Sequence, residues 1–157
     1  MPRTFFETHV KPNYADWIAN PLDERLAKNA IGDANSMAAR VFRYWQCNDP
    51  SMVYSAQKEG QYRSELAARV CEDFGLVRDV ADAHKHFLLD RPTRRLSRAD
   101  QTGLGRLGWG EARWGESRWG SPPELVVTLD NGTKRPLTAI MANVMAMWER
   151  LLLGWGL

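Results

Sequence analysis

The sequence has 157 residues, of which 44% are hydrophobic and 25% are charged. This length fits one domain with a sizeable core and leaves no room for two independent domains of ordinary size. The composition is that of an ordinary soluble globular protein. A net charge of +2 is too small to indicate a general affinity for nucleic acid or for an anionic membrane.

Clear signals for secretion, membrane insertion and cofactor binding are missing from the sequence. Residues 1–10 do not show the cationic-then-apolar order of a secretory signal. The apolar run from Ala139 to Leu153 is interrupted by polar and charged residues, so we expect no membrane span and a cytoplasmic protein. No glycine-rich phosphate loop follows a predicted strand, so we expect no cofactor. Cys47 and Cys71 match neither a zinc site nor a redox pair, and we expect buried free thiols.

The first half of the chain is predicted to be helical after an N-terminal arm. Residues 1–19 form the arm, which contains prolines but also aromatic residues that should pack on the domain. A first helix should run from Asn20-Pro21, with Asn20 as its N-cap, to about Gln46. A second should run from about Ser55 to Phe74 and end at Gly75. A third should occupy residues 76–89.

The second half combines a β insertion with a last helix. Residues 91–137 are rich in Arg, Trp and Gly, and Asp130-Asn131-Gly132 predicts a hairpin turn with residues 133–136 as the return strand. The last helix should span about Thr138 to Leu153 within a segment 138–157. We therefore predict a single, mainly α domain: a four-helix bundle-like fold with a β-hairpin or irregular β insertion between its third and fourth helices.

Ionisable residues are concentrated between Arg78 and Phe87 on the third predicted helix. Two of the three histidines of the chain lie there, and histidine is the side chain that titrates near neutral pH. At about 100° per residue, His84 falls on the buried stripe, whereas Arg78, Asp79 and His86 lie on the polar side. The simplest interpretation is structural, with His84 bonded to a neighbouring helix and ordinary ion pairs on a solvated face.

The Arg78-Asp79-x4-His84 pattern resembles the Arg-x(4–6)-His motif of the HEPN superfamily of small helical-bundle proteins. The resemblance implies a metal-independent endoribonuclease of a toxin or defence type, with two protomers joining their motifs in one cleft. His84 would then be the general acid or base, and Arg78 would stabilise charge on the phosphate. The two residues lie about 120° apart on a regular helix, so a homodimer or the reach of Arg78 must unite them.

A narrower resemblance involves Arg78 and Asp79 followed by Lys85-His86-Phe87, with Met141 to Trp148 at the end of the chain. This pattern is similar to that of a group of small bacterial proteins, and it implies no activity. It directs attention to His86 instead of His84. A metal site at Asp79, Asp82 and His86 is a further alternative, but one helix cannot close such a site, and we expect no metal.

A Trp-Gly-Glu-x-Arg repeat marks the insertion. Its indoles and the neighbouring arginines could bind RNA or a protein partner, or form the dimer contact. We expect instead that the indoles cover the bundle, because three exposed indoles would promote aggregation. The candidate binding residues are Arg94, Arg95, Trp109, Arg113, Trp114, Arg118 and Trp119.

Overall fold

The N-terminal segment is helical. In the computed structural model, which describes residues 1–86, 88–90, 92–108, 111, 113–116 and 122–157, α1 (Pro2–Phe5) continues through a π-helical turn (Phe6–Val10) into α2 (Lys11–Ala19). Pro12 falls in the first turn of α2, where its missing N–H leaves little unsatisfied. The widened turn before it lets the helical path continue past the proline. The N-terminal arm is thus helical, and it packs against the long helix that follows it.

The first long helix, α3, spans Glu24–Asn48. Its N-cap is Asp23, whose carboxylate accepts hydrogen bonds from the backbone N–H groups of Arg25 and Leu26. The predicted start at Asn20 is therefore too early, because an acidic cap bonding two backbone groups lies three residues further on. The helix ends near the predicted position, before the 3₁₀ turn Pro50–Val53.

The next two helices, α4 (Glu59–Arg69) and α5 (Glu72–His86), divide the chain differently from the prediction. Ser55 has a φ of 60°, a left-handed conformation that an α-helical residue does not adopt, so the helix cannot include Ser55 and α4 starts later than expected. Gly75 lies inside α5 and is not a helix stop. A Cβ at Gly75 would lie 3.3 Å from the Cβ of Ala67 on α4. The glycine therefore allows the two helices to approach closely.

The insertion between α5 and α6 contains a three-stranded antiparallel sheet. Strands β1 (Thr102–Gly105), β2 (Glu124–Thr128) and β3 (Lys134–Pro136) lie in that order in space. The predicted hairpin joins β2 to β3, and Gly132 has a φ of 83°, which only glycine adopts without strain. The additional strand β1 was not predicted, because its glycines resemble a loop in sequence.

Helix α6 spans Leu137–Gly154 and completes the core. Trp148 of α6 is fully buried, and its indole N–H donates to the carbonyl oxygen of Ala34 on α3, 3.0 Å away. The structure confirms a mainly helical fold with a β insertion between the last two of its long helices.

Cys47 and Cys71 are free, but Cys47 is exposed and Cys71 only partly buried, so the expected burial is wrong. No helix in the described parts of the chain is long and apolar enough to cross a bilayer.

We expect opposite effects from adding a methyl group at two helical glycines. Gly75→Ala should destabilise the protein, because the new methyl group would lie 3.3 Å from the Cβ of Ala67. That atom can move away only if the backbone of α4 moves with it. Gly32→Ala in α3 should stabilise it by about 0.5–1 kcal/mol, because nothing lies within 4 Å of the added Cβ and alanine favours helix. Urea denaturation of both variants measures the difference. Equal stabilisation by both substitutions would contradict the close approach of α4 and α5.

Candidate functional site

His84 lies against α3 and the sheet. It lines a crevice with Glu24 and Lys28 of α3 and with Thr102 of β1. The cavity measures about 10 Å³, room for at most one water molecule. Burial lowers the pKa of His84, and the nearby Lys28 lowers it further against an opposing effect of Glu24. The imidazole is therefore favoured in its neutral form, in a space too small for a substrate group.

Arg78 and Asp79 lie on the other side of α5. The Arg78 Nη1 atom donates to the Ser64 hydroxyl of α4, 3.0 Å away, and Arg78 Nε lies 3.8 Å from the Asp82 carboxylate. Asp79 is 4% exposed, and its carboxylate accepts the backbone N–H of Arg95 at 2.7 Å. Asp79 thus fastens the segment after α5 to the helix.

The described chain therefore does not bring the four candidate catalytic residues together. Arg78 and Asp79 line one cavity and His84 lines another. His86 is exposed near the end of α5, where its backbone oxygen accepts the N–H of Leu88 at 2.7 Å. This separation agrees with the angle predicted from helical geometry. A joint action of Arg78 and His84 would need a second protomer.

A cleft of about 320 Å³ lies between α4, α5 and residues 93–95. Small residues line part of it, and charged groups of both signs surround them. Glu72 is an ion-pair centre at this cleft, because it accepts hydrogen bonds from Arg95 and, at 3.5 Å, from Arg113. The hydrogen bond from Arg95 lowers the pKa of Glu72, and Arg113 adds to this effect. The lining residues are Ser64, Glu65, Ala67, Ala68, Glu72, Gly75, Arg78, Asp79, Thr93 and Arg95.

A buried charge network fixes the insertion to the helices. Arg135 of β3 is 1% exposed and binds both carboxylate oxygens of Asp73 on α5 and both of Glu116 in the insertion. Asn143 of α6 donates to the same Asp73 carboxylate at 2.7 Å. Burial alone would raise the pKa of Asp73, but the hydrogen bonds from Arg135 and Asn143 outweigh it and hold this pKa below its ordinary value.

Sequence reasoning missed this network, although one signal pointed to it. The hairpin register places Arg135 opposite Val127, an apolar residue that is fully buried. Directly opposed residues of an antiparallel pair lie on the same face of the sheet. A buried arginine was therefore predictable, but the carboxylates that neutralise it come from distant segments that the sequence does not connect.

Trp114 is fully exposed, so the expectation that the indoles cover the bundle is wrong for this residue. The residues on both sides of it are anchored, since Arg113 binds Glu72 and Glu116 binds Arg135. Gly115 has a φ of 84°, which permits the tight turn between them.

Among the other candidate binding residues, Arg94 donates to the Ser97 hydroxyl at 2.9 Å. Four residues singled out in the sequence lie outside the described residues: Phe87, Trp109, Arg118 and Trp119.

The metal-site alternative is not formed. Within the described ranges, no group of three or more His, Cys, Asp or Glu side chains could hold a metal ion. The Asp79 carboxylate instead faces the backbone of Arg95, and His86 is exposed.

The Asp73 carboxylate should make the free energy of unfolding depend on pH in the acidic range. Its lowered pKa in the folded state means that protons bind the unfolded chain first as pH falls below the ordinary value of 3.8, so the free energy of unfolding should decrease there. Asp73→Asn should remove this part of the pH dependence and be less stable at neutral pH. Asp16→Asn, at an exposed position of α2, should keep the wild-type slope. Denaturant unfolding from neutral pH to pH values below 3.8 measures all three proteins; parallel curves for wild type and Asp73→Asn would contradict the network.

No protein-family model, curated protein or solved structure matches the chain. The resemblance to the HEPN superfamily therefore stays a prediction from a short motif. What the chain does has to be argued from its own geometry.

Proposed function

We propose that this protein is a non-catalytic interaction module that binds a partner protein through Trp114. The observation that carries the proposal is the complete exposure of this indole between two anchored neighbours. A large aromatic side chain held in water contributes no packing to the fold. Tryptophan and arginine are the residues most enriched among those that dominate binding energy in protein interfaces.

The anchoring supports a rigid display of the indole. Glu116 is held by the buried Arg135, and its backbone N–H donates to the carbonyl oxygen of Arg113 at 3.1 Å. The short turn between these two residues is therefore closed by a backbone hydrogen bond and tied to the buried Arg135 at its Glu116 end. A backbone segment that is held in place before binding loses less conformational entropy than a mobile one, which favours affinity.

The charges around Trp114 favour a protein over a nucleic acid. Arg95 and Arg113 are both paired with Glu72, and Lys134 is paired with Glu111 at 2.9 Å. Contacts with a phosphate backbone depend on cations that can neutralise phosphates. Cations already paired with carboxylates are poorly suited to this role. A mixed-charge rim around an aromatic residue is instead typical of protein interfaces.

Removing the indole should abolish partner binding and leave the fold intact. Trp114→Ala should change the free energy of unfolding by less than about 0.5 kcal/mol, as expected for a surface substitution. The photo-crosslinking residue p-benzoylphenylalanine at position 114 keeps a large aromatic ring in place of the indole, so it should still capture a defined protein in the cells that express the chain. Added wild-type protein should compete for this capture, and added Trp114→Ala protein should not.

The matched control places the same crosslinker at Leu22, an apolar residue that is 50% exposed near the start of α3. It should not capture the same protein. Equal competition by wild type and Trp114→Ala, or identical products from both positions, would refute the proposal. Unfolding of Trp114→Ala would also refute it, by showing that the indole packs.

A metal-independent ribonuclease of the HEPN type is the second candidate function. The neutral imidazole favoured for His84 is the form that a general base needs, and Arg78 lines the 320 Å³ cleft. Because the two side chains lie in different cavities of one chain, this function requires a homodimer that joins Arg78 of one copy to His84 of the other. It also requires the crevice at His84 to open wide enough to admit the phosphodiester.

Mixing inactive variants tests that requirement. Arg78→Ala and His84→Ala should each abolish RNA cleavage measured with EDTA present. In a mixture of the two, half of the dimers would be heterodimers with one intact composite site, restoring about one quarter of the wild-type rate. If wild type cleaves no RNA, or if both variants cleave normally, the ribonuclease hypothesis fails.

A further inference from the structure

A third cavity, of about 480 Å³, is lined by residues 1–2 and by the end of α3, including Cys47. It is an open groove between the N-terminal segment and the second half of α3. One wall of the groove contains Arg40, Arg43, Tyr44 and Asn48 of α3. Pro2 lies across from this wall. Among the residues that the structure describes, no aspartate or glutamate lines this groove. Its charge is therefore carried by two guanidinium groups.

Both arginines lack the carboxylate partners that most other arginines have. Among the described residues, neither Arg40 nor Arg43 takes part in an ion pair, whereas the following arginines do: Arg25, Arg63, Arg69, Arg78, Arg95, Arg98, Arg113 and Arg135. Arg3, on the nearby α1, binds the carbonyl oxygen of Leu157 and lies 3.8 Å from Glu7. Arg40 and Arg43 thus place two unneutralised charges next to each other in the groove.

Arg40 is held in position by an aromatic ring. Its guanidinium carbon lies 3.7 Å from the ring centroid of Phe5, and Phe5 itself is 9% exposed. Stacking occupies the face of a guanidinium and leaves the N–H groups at its edge available. Arg43 follows three residues later, so both side chains leave the same side of α3. The groove therefore presents two adjacent sets of donors, one of them fixed in place.

We infer that this groove binds the phosphate group of a small phosphorylated molecule. Two planar guanidinium forks match the several oxygens and the double charge of a phosphate better than the single charge of a carboxylate. The volume is in the range of ordinary small-ligand pockets and exceeds what a phosphate needs. The remainder, bounded by Pro2, Ala39 and the Tyr44 side chain, accommodates the organic part of the ligand.

Titration of the full-length protein with inorganic pyrophosphate tests the site directly. Isothermal calorimetry should show saturable binding to wild type, weakened about tenfold or more by Arg43→Gln, because one charge-assisted fork is lost. Arg43→Lys should weaken binding less than Arg43→Gln, since it retains the charge but loses the fork. Arg43 is exposed, so the melting temperatures of these variants should match that of wild type.

The matched control is Arg150→Gln, which removes the same charge from an exposed position of α6 and should leave pyrophosphate binding within about twofold of wild type. Equal weakening by Arg43→Gln and Arg150→Gln would overturn the site in favour of general electrostatic attraction. Absence of saturable binding by wild type to pyrophosphate and to the vesicles described next would overturn it as well.

The same chemistry could come from a free metabolite or from a lipid headgroup, and vesicles separate these sources. Phosphatidylcholine vesicles containing phosphatidic acid should bind wild type but not Arg43→Gln if the phosphate belongs to a lipid. Vesicles containing phosphatidylserine at equal charge serve as the comparison. Binding of pyrophosphate without vesicle binding identifies a soluble ligand, and equal binding to both anionic vesicles independent of Arg43 contradicts the proposal.

Discussion

The neutralisation of Arg135 is the constraint on which the arrangement of this fold depends. A guanidinium excluded from water is costly unless its charge is paired and its donors are satisfied. Burial alone would lower the pKa of Arg135, but the two carboxylates that bind it raise it and keep the side chain charged. These carboxylates belong to α5 and to the insertion, and α6 is drawn in through Asn143. One side chain thus fixes the relative placement of three segments.

This placement gives the two sides of α5 different surroundings. The side facing α3 and the sheet encloses His84 in a crevice without room for a ligand. The side facing α4 opens into the cleft, and Glu72 at its edge links the cleft to Arg113 of the insertion. The exposed Trp114 is the residue that comes after Arg113 in the chain. The ionisable residues of α5 therefore lie in two different environments. His84 packs in the crevice beside α3, whereas Arg78 and Asp79 line the cleft, whose surface continues onto the insertion.

The sequence was informative where a feature depends on neighbouring residues and uninformative where it depends on distant ones. The Asp130-Asn131-Gly132 hairpin and the last helix follow from local turn chemistry and apolar spacing, and both were predicted. Gly75 was misread as a helix stop, since its reason is the proximity of Ala67 on another helix. Asp79 looked like a catalytic candidate, but its partner is a backbone N–H sixteen residues away. Such long-range partners leave no periodic pattern.

The close contact of Gly75 with Ala67 also bears on how this protein could diversify. Neither residue can grow without separating α4 from α5, so the depth of the cleft between them is fixed there by the backbone. Ala68 also lines the cleft but is exposed, and a larger side chain at that position meets no such restriction. A chain with the same scaffold and the same charges can therefore differ at this one position in the shape of its cleft.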